Sequence, residues 1–212
     1  MNRQLRKLAM FLVISTPLSA ADLAGLCDGS NALTPGQWAK YQTDQVWMNT
    51  KAERQIAIVG AKDVEGKAHF WLEFLSYMAN DTMAFQFLVP AYPYSEEDIK
   101  GVAMKMGEST REYPPEMAAS LSGRSDSLSE PLQRACDEAE SGEMESVTVP
   151  AGTFNALKVS PHRFGKDVWI SAEVPFGVVK MTESDGKGLE LIAHGIDPGL
   201  VTKTTEQVPV TD

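Results

Sequence analysis

Three histidines, His69, His162 and His194, are the side chains in this sequence whose ordinary pKa lies near neutral pH. A general base works only within hydrogen-bond reach of its substrate. These three are widely separated, and none sits in an HExxH, GxSxG or Cys-His signature. Each is therefore expected as a sheet-surface residue rather than a base or a ligand. Asp185-Gly186-Lys187 lacks the further oxygens that a calcium loop needs and reads as a hairpin turn. His162-Arg163, next to Pro161, reads as a polar loop. No catalytic residue, metal ligand or cofactor is implied, and the chain is read as a non-enzyme.

The two cysteines, Cys27 and Cys136, take their meaning from the compartment. The chain starts with Arg3, Arg6 and Lys7, continues with an apolar stretch from Leu8 to Ile14, and reaches small residues at Ser19, Ala20 and Ala21. Basic start, short apolar centre and small-residue exit are the three parts of a secretory signal, in order. The apolar stretch is far shorter than the roughly 20 residues a spanning helix needs. Residues 1–20 are thus read as a cleaved signal peptide, and the mature chain as exported, periplasmic and without a transmembrane segment. Ala24-Gly25-Leu26 before Cys27 misplaces the Leu of a lipoprotein box. In an oxidising compartment Cys27 and Cys136 are expected to pair, with two unpaired thiols as the alternative. The bridge would close a loop of 109 residues and stabilise by about 4 to 5 kcal/mol in the chain-entropy model.

Charge narrows the partners. The 212 residues carry 19 basic and 29 acidic groups, a net charge of −10; losing the three basic groups of the signal takes it to −13. Nucleic acid is bound by clustered Lys and Arg, and no run or stripe of them occurs, so a nucleic-acid partner is excluded. Acidity also repels anionic lipid surfaces, while leaving open the capture of an acyl chain in a cavity.

The elements follow from two periods. In Gly66 to Met78, Ala68, Phe70, Leu72 and Phe74 alternate with His69, Trp71, Glu73 and Leu75, the pattern of a strand. Arg54 to Ala61, a turn over Lys62 to Gly66, and Met83, Phe85, Phe87 and Val89 extend it to a meander, preceded by a strand over Gly36 to Gln42. From about 94 to 142 the period turns helical. Ser95 three before Asp98 opens a helix carrying Ile99, Val102, Ala103 and Met106, with Gly107 as its stop. Pro114-Pro115 begins a short turn of helix through Leu121. Ser127 and Glu130 begin another, with Leu128, Leu132, Ala135, Cys136 and Ala139 in one stripe. Strands return over Glu145 to Val149, Phe154 to Ser160, Lys166 to Ser171, Phe176 to Thr182 and Gly188 to His194. Residues 198–212 read as a flexible tail.

Val149-Pro150-Ala151-Gly152-Thr153-Phe154, Trp169, and Val174-Pro175-Phe176-Gly177-Val178-Val179-Lys180, then a strand ending in Gly195, resemble the C-terminal half of exported bacterial domains. Leu33-Thr34-Pro35-Gly36-Gln37-Trp38 through Trp71-Leu72-Glu73 resembles their opening strands. These domains are similar to the outer-membrane lipoprotein carrier superfamily, with its LolA-like and RseB-like members. The resemblance covers the mature chain in outline and carries over no functional residue. It implies a curved, incomplete antiparallel barrel with helices as a lid over an apolar concavity.

Physics points the same way, since a long sheet must curl or stack and helices with one apolar face give it something to pack on. The fold class expected is α+β, mainly antiparallel β, with about eight to ten strands. Two or three short helices are inserted within a single domain over 21–197. Adaptable Met and rigid aromatic groups suit an acyl chain or a lipidated peptide, so Trp71, Phe85, Phe87, Met104 and Met106 are the candidate lining of a hydrophobic ligand site. The alternative is an envelope protein-interaction module with a filled core and an exposed apolar patch around Phe74, Leu75, Tyr77 and Met78.

Overall fold

The computed structural model describes residues 20–45, 50–77, 82–107, 109–118, 121, 128–162, 165–183 and 188–201. The segment read as a signal peptide therefore lies, up to residue 19, outside the described residues, as do Met78 and the tail from residue 202. Strands β1 (Gln37–Gln45), β2 (Thr50–Val64), β3 (Lys67–Tyr77), β4 (Thr82–Val89), β5 (Gly101–Met106) and β6 (Ser109–Tyr113) come first. After the helical segment follow β7 (Glu143–Val149), β8 (Gly152–Val159), β9 (Lys166–Ile170), β10 (Val178–Glu183) and β11 (Gly188–Ile196). All pair antiparallel in one sheet of order β6-β5-β4-β3-β2-β1-β11-β10-β9-β8-β7.

The chain runs outward from β1 to one edge, re-enters at the other edge as β7, and returns until β11 pairs with β1. The edges β6 and β7 do not pair with each other, so the sheet is open. It bends instead. Pairing shifts register at Lys40/Tyr41, Ile58/Gly60 and Val178/Lys180, and such bulges increase local twist. The C-terminal strands curl far enough that Ala151 N–H, in the β7–β8 turn, donates to Leu191 O of β11 at 3.2 Å.

Two expectations change. The polar turn over Lys62 to Gly66 contracts to Glu65-Gly66, because β2 and β3 stay paired up to Val64 and Lys67. Both turn residues have positive φ, 55° and 78°, the backbone of a two-residue hairpin turn that matches strand twist. The helix expected over Ser95 to Gly107 is a correction. The capping interaction exists, with Ser95 N–H donating to Asp98 Oδ2 at 2.9 Å, but it supports one 3₁₀ turn, Glu96–Asp98. Lys100 N–H then donates to Leu88 O, and β5 pairs with β4. Val102 and Met106 belong to the helical stripe and, with Met104 between them, also to a strand alternation, and covering the Phe85 and Phe87 side of β4 decides between the two. The sheet accordingly has eleven strands, more than expected, because β5 and β6 come from the segment read as helical.

Among the described residues two α-helices are complete, α1 (Ala20–Cys27) and α2 (Ser129–Asp137), joined by the Cys27–Cys136 disulfide. Leu132 and Ala135 of α2 and Leu26 of α1 are buried in the core. Leu26 closes over Gly177, where a Cβ would come within 2.6 Å of its Cδ1 and where φ is +72°, so no other residue fits there without strain. The expected turn after Pro114 is the 3₁₀ turn Pro115–Met117, and the tail begins with another, Pro198–Leu200. No described helix is long and apolar enough to cross a membrane.

Polar groups in the core are nearly all matched. Ser129 Oγ accepts from Tyr94 N–H and donates to Tyr94 O, both at 2.8 Å, fastening the start of α2 to the loop after β4. Tyr41 O–H donates to Val178 O at 2.9 Å. Among the described residues one buried side-chain polar atom, Tyr92 Oη, is without a partner. Tyr92 packs edge-on to Phe176 at 5.3 Å.

Candidate functional site: a methionine corner

Residues paired across a sheet share a face, so the register assigns the predicted lining. Leu72, Phe87, Val102 and Tyr113 form one row across β3 to β6, and Phe74, Phe85, Met104 and Arg111 form the next. Ser76, Met83, Met106 and Ser109 form the third. The same face continues through Ile58 and Ile56 of β2 to Ala39 of β1, and it is the apolar face of the sheet.

Burial falls along these rows. Leu72, Phe87 and Val102 are fully buried. Phe74 and Phe85 are almost so, and their row opens at half-buried Met104. In the third row Met83 is half-buried and Met106 is 55% exposed. Three thioethers thus surface together at the corner where β4 and β5 end beside the edge strand β6. Arg111 borders them, its guanidinium 5.4 Å from the Tyr113 ring centroid. Met117, also exposed, lies in the 3₁₀ turn that packs on β5.

Of the five predicted lining residues, Met104 and Met106 surface at this corner, Phe85 lies beneath it and Phe87 lies deeper in the core. Trp71 is a correction: it faces the other side of the sheet, in a row with Leu88 and Gly101. Its indole lies across Gly101, where a Cβ would meet Trp71 Cη2 at 3.0 Å. On that side the buried Glu73 carboxylate accepts from Gln86 Nε2 at 2.7 Å. Of the alternative patch, Phe74 is core and Leu75 points to the opposite face, while the Tyr77 side chain and Met78 lie outside the described residues. Sequence reasoning missed Met83 and Arg111, although Met83 stands in the alternation that also holds Phe85.

The groups with acid–base potential stay apart. His69 is buried in β3, against the expectation of a surface position, with Nδ1 3.1 Å from Lys67 O. His162 is exposed in a loop, its backbone N–H bound by Glu138. His194 lies against Phe154, ring centroids 5.8 Å apart, and burial pushes its pKa below the ordinary histidine value. Among the described residues no three His, Cys, Asp or Glu side chains converge as a metal site. An open depression of about 280 Å³ lies among Ser160, Pro161, Lys166, Asp167 and Glu183, but its charges are already matched. Ser160 O–H donates to Asp167 at 2.6 Å and holds that carboxyl below its usual range, with help from Lys158. Lys166 pairs with Glu183 at 3.0 Å.

No family model matches the chain, and no curated protein matches it. Among solved structures, MucB in its crystal complex with MucA(peri) is similar with a TM-score of 0.43 and 10% sequence identity, over 87% of this chain and 58% of that one. The chain thus spans less than two thirds of the MucB chain. An exported protein with a YmcC-like fold from Bacteroides fragilis is similar with a TM-score of 0.34 and 11% identity, over 77% of this chain and 97% of that one.

Proposed function

We propose that this chain is an exported, non-enzymatic binding module of the cell envelope that holds an apolar group of its ligand against the methionine corner of Met83, Met104 and Met106. The observation that supports this reading is the graded opening of the apolar face. Single exposed apolar side chains are ordinary on protein surfaces. Here Met106 is 55% exposed and continuous, through Met104 and Phe85, with the core itself. Methionine is flexible and polarisable, so it adapts to acyl chains and to apolar side chains alike. Beneath the helices, Leu132, Ala135, Leu26 and Phe176 occupy the core. We place a hydrophobic ligand, whether a lipid, a lipidated protein or an envelope protein, at this corner, where the apolar face comes to the surface.

The test uses anilinonaphthalene sulfonate, whose fluorescence reports contact with apolar surface, on the mature disulfide-bonded protein. Met106→Glu is expected to weaken saturable dye binding about tenfold, the loss that burying a charge in an apolar contact brings. Met144→Glu, at the similarly exposed Met144 of the other edge strand, leaves it unchanged. Equal effects of the two substitutions overturn the corner as the site.

A further inference from the structure

We infer that the ligand at this corner is an extended peptide segment of another protein, which adds to β6 as a twelfth strand and carries one acidic residue between two apolar ones on its inward side. The inference rests on the corner reading above and specifies its occupant.

The two sheet edges differ in what surrounds them. At the β7 edge Glu145 accepts from Trp169 Nε1 and the β7–β8 turn is hydrogen-bonded to β11, so that edge curls back toward the rest of the sheet. Among the described residues β6 pairs with β5 alone, and Ser109 to Glu112 are exposed. An exposed edge strand presents unpaired N–H and C=O groups to any chain that can lie beside it.

The inner row of β6 sets what that chain must carry. Ser109 is small and pairs with the exposed Met106, so a large apolar side chain opposite Ser109 reaches over it to the thioether. Arg111 comes next on the same face, beside Met104, and calls for a carboxylate opposite. Tyr113 follows, half-buried, and suits a second apolar or aromatic group. On the outer face Glu112 disfavours an acid opposite it. One matched carboxylate suits a chain of net charge −10, which would repel a strongly anionic partner.

The same row disfavours a second copy of this chain. Antiparallel self-pairing centred on Arg111 sets two guanidinium groups opposite each other, and centring on Glu112 does the same with two carboxylates. Centring on Thr110 leaves only Ser109 to Arg111 in register. Like charges directly opposite are destabilising, so the edge is guarded against itself while remaining open to a complementary strand.

The experiment uses the mature, disulfide-bonded protein and a labelled peptide, Ac-Thr-Phe-Thr-Asp-Thr-Phe-Thr-amide, with a control in which Lys replaces Asp. The acidic peptide is expected to displace the dye from the corner and to slow amide exchange across residues 109–113. It should bind about tenfold more tightly than the Lys peptide, with Arg111→Glu inverting that order, as expected for exchanging an attractive cross-strand pair for a repulsive one. Displacement without protection of 109–113 overturns strand addition and leaves the corner reading standing. Displacement by a fatty acid but not by the peptide overturns the inference in favour of a lipid. If Met106→Glu fails to weaken dye binding, the corner reading falls and the inference with it.

Discussion

The two wings of the sheet solve the same problem differently. In the C-terminal wing, β7 to β11, both faces are spoken for. Its apolar face carries the disulfide-clamped helices, and its other face is laced with pairs: Lys158 with Asp167 at 3.2 Å and Lys180 with Glu190 at 2.8 Å. Trp169 lies among them, with the Lys158 and Lys180 ammonium groups 5.1 and 5.8 Å from its ring centroid. In the N-terminal wing the apolar face runs out to β6 and ends uncovered at the methionine corner. The first wing supplies the scaffold, and the second keeps a surface free for contact. Exposed pairs of this kind are each worth little, in the range of about 0 to 1 kcal/mol, so the scaffold's strength lies in its covered apolar face.

Reduction is the largest way to break the contrast. Removing the bridge, or making Cys136→Ser, is expected to cost about 2 to 5 kcal/mol, seen as a fall in the urea midpoint. Amide exchange should rise first around α1, α2 and β9. If β4 to β6 open first instead, the helices do not anchor the C-terminal wing.

A smaller effect tests the seam between the wings, where two buried tyrosines differ only in their hydroxyls. Tyr41→Phe removes the donor to Val178 O and leaves a buried carbonyl unmatched, a loss of about 1 to 2 kcal/mol. Tyr92→Phe removes a buried hydroxyl that has no partner, and stability should stay level or rise. A loss on Tyr92→Phe equal to that on Tyr41→Phe would contradict this account of the core.

The smallest effect is a pH dependence at the same seam. Because burial lowers the His194 pKa in the folded state, the unfolded chain binds the proton more readily. The favourable state is complete above the ordinary histidine pKa, near 6.5, and is lost as pH falls below it. His194→Asn should flatten thermal stability between about pH 7 and 5, and His162→Asn, in an exposed loop, serves as the comparison.

Much of this architecture is legible in the sequence, and the failures have physical causes. Strict alternation in Phe70 to Leu75 and Met83 to Val89 marks β3 and β4, because one buried face imposes a period of two. Ile99, Val102, Ala103 and Met106 fit the helical period while Val102, Met104 and Met106 fit the strand period, and only the need to cover Phe85 and Phe87 selects the strand. β6, with the sequence Ser-Thr-Arg-Glu-Tyr, has no apolar alternation because neither face is buried. Trp71 falls on the expected alternate face of β3. Which face of β3 joins Phe85 depends on the register with β4, and composition does not set that. The Cys27–Cys136 pairing is legible because two cysteines in an oxidising compartment have one intramolecular arrangement. The corner's Arg111 carries no local signal at all, since its meaning comes from Met104 across the ladder.

The seam has one more consequence. Gln37 pairs with Ile196, so the central strands of the sheet are among the most distant in the sequence. Contacts of such long range form slowly, because most of the chain must be gathered before they are rewarded. A chain made from its N-terminus cannot join its two halves until β11 has emerged. The strand order itself thus delays completion of the fold until nearly all of the chain is at hand.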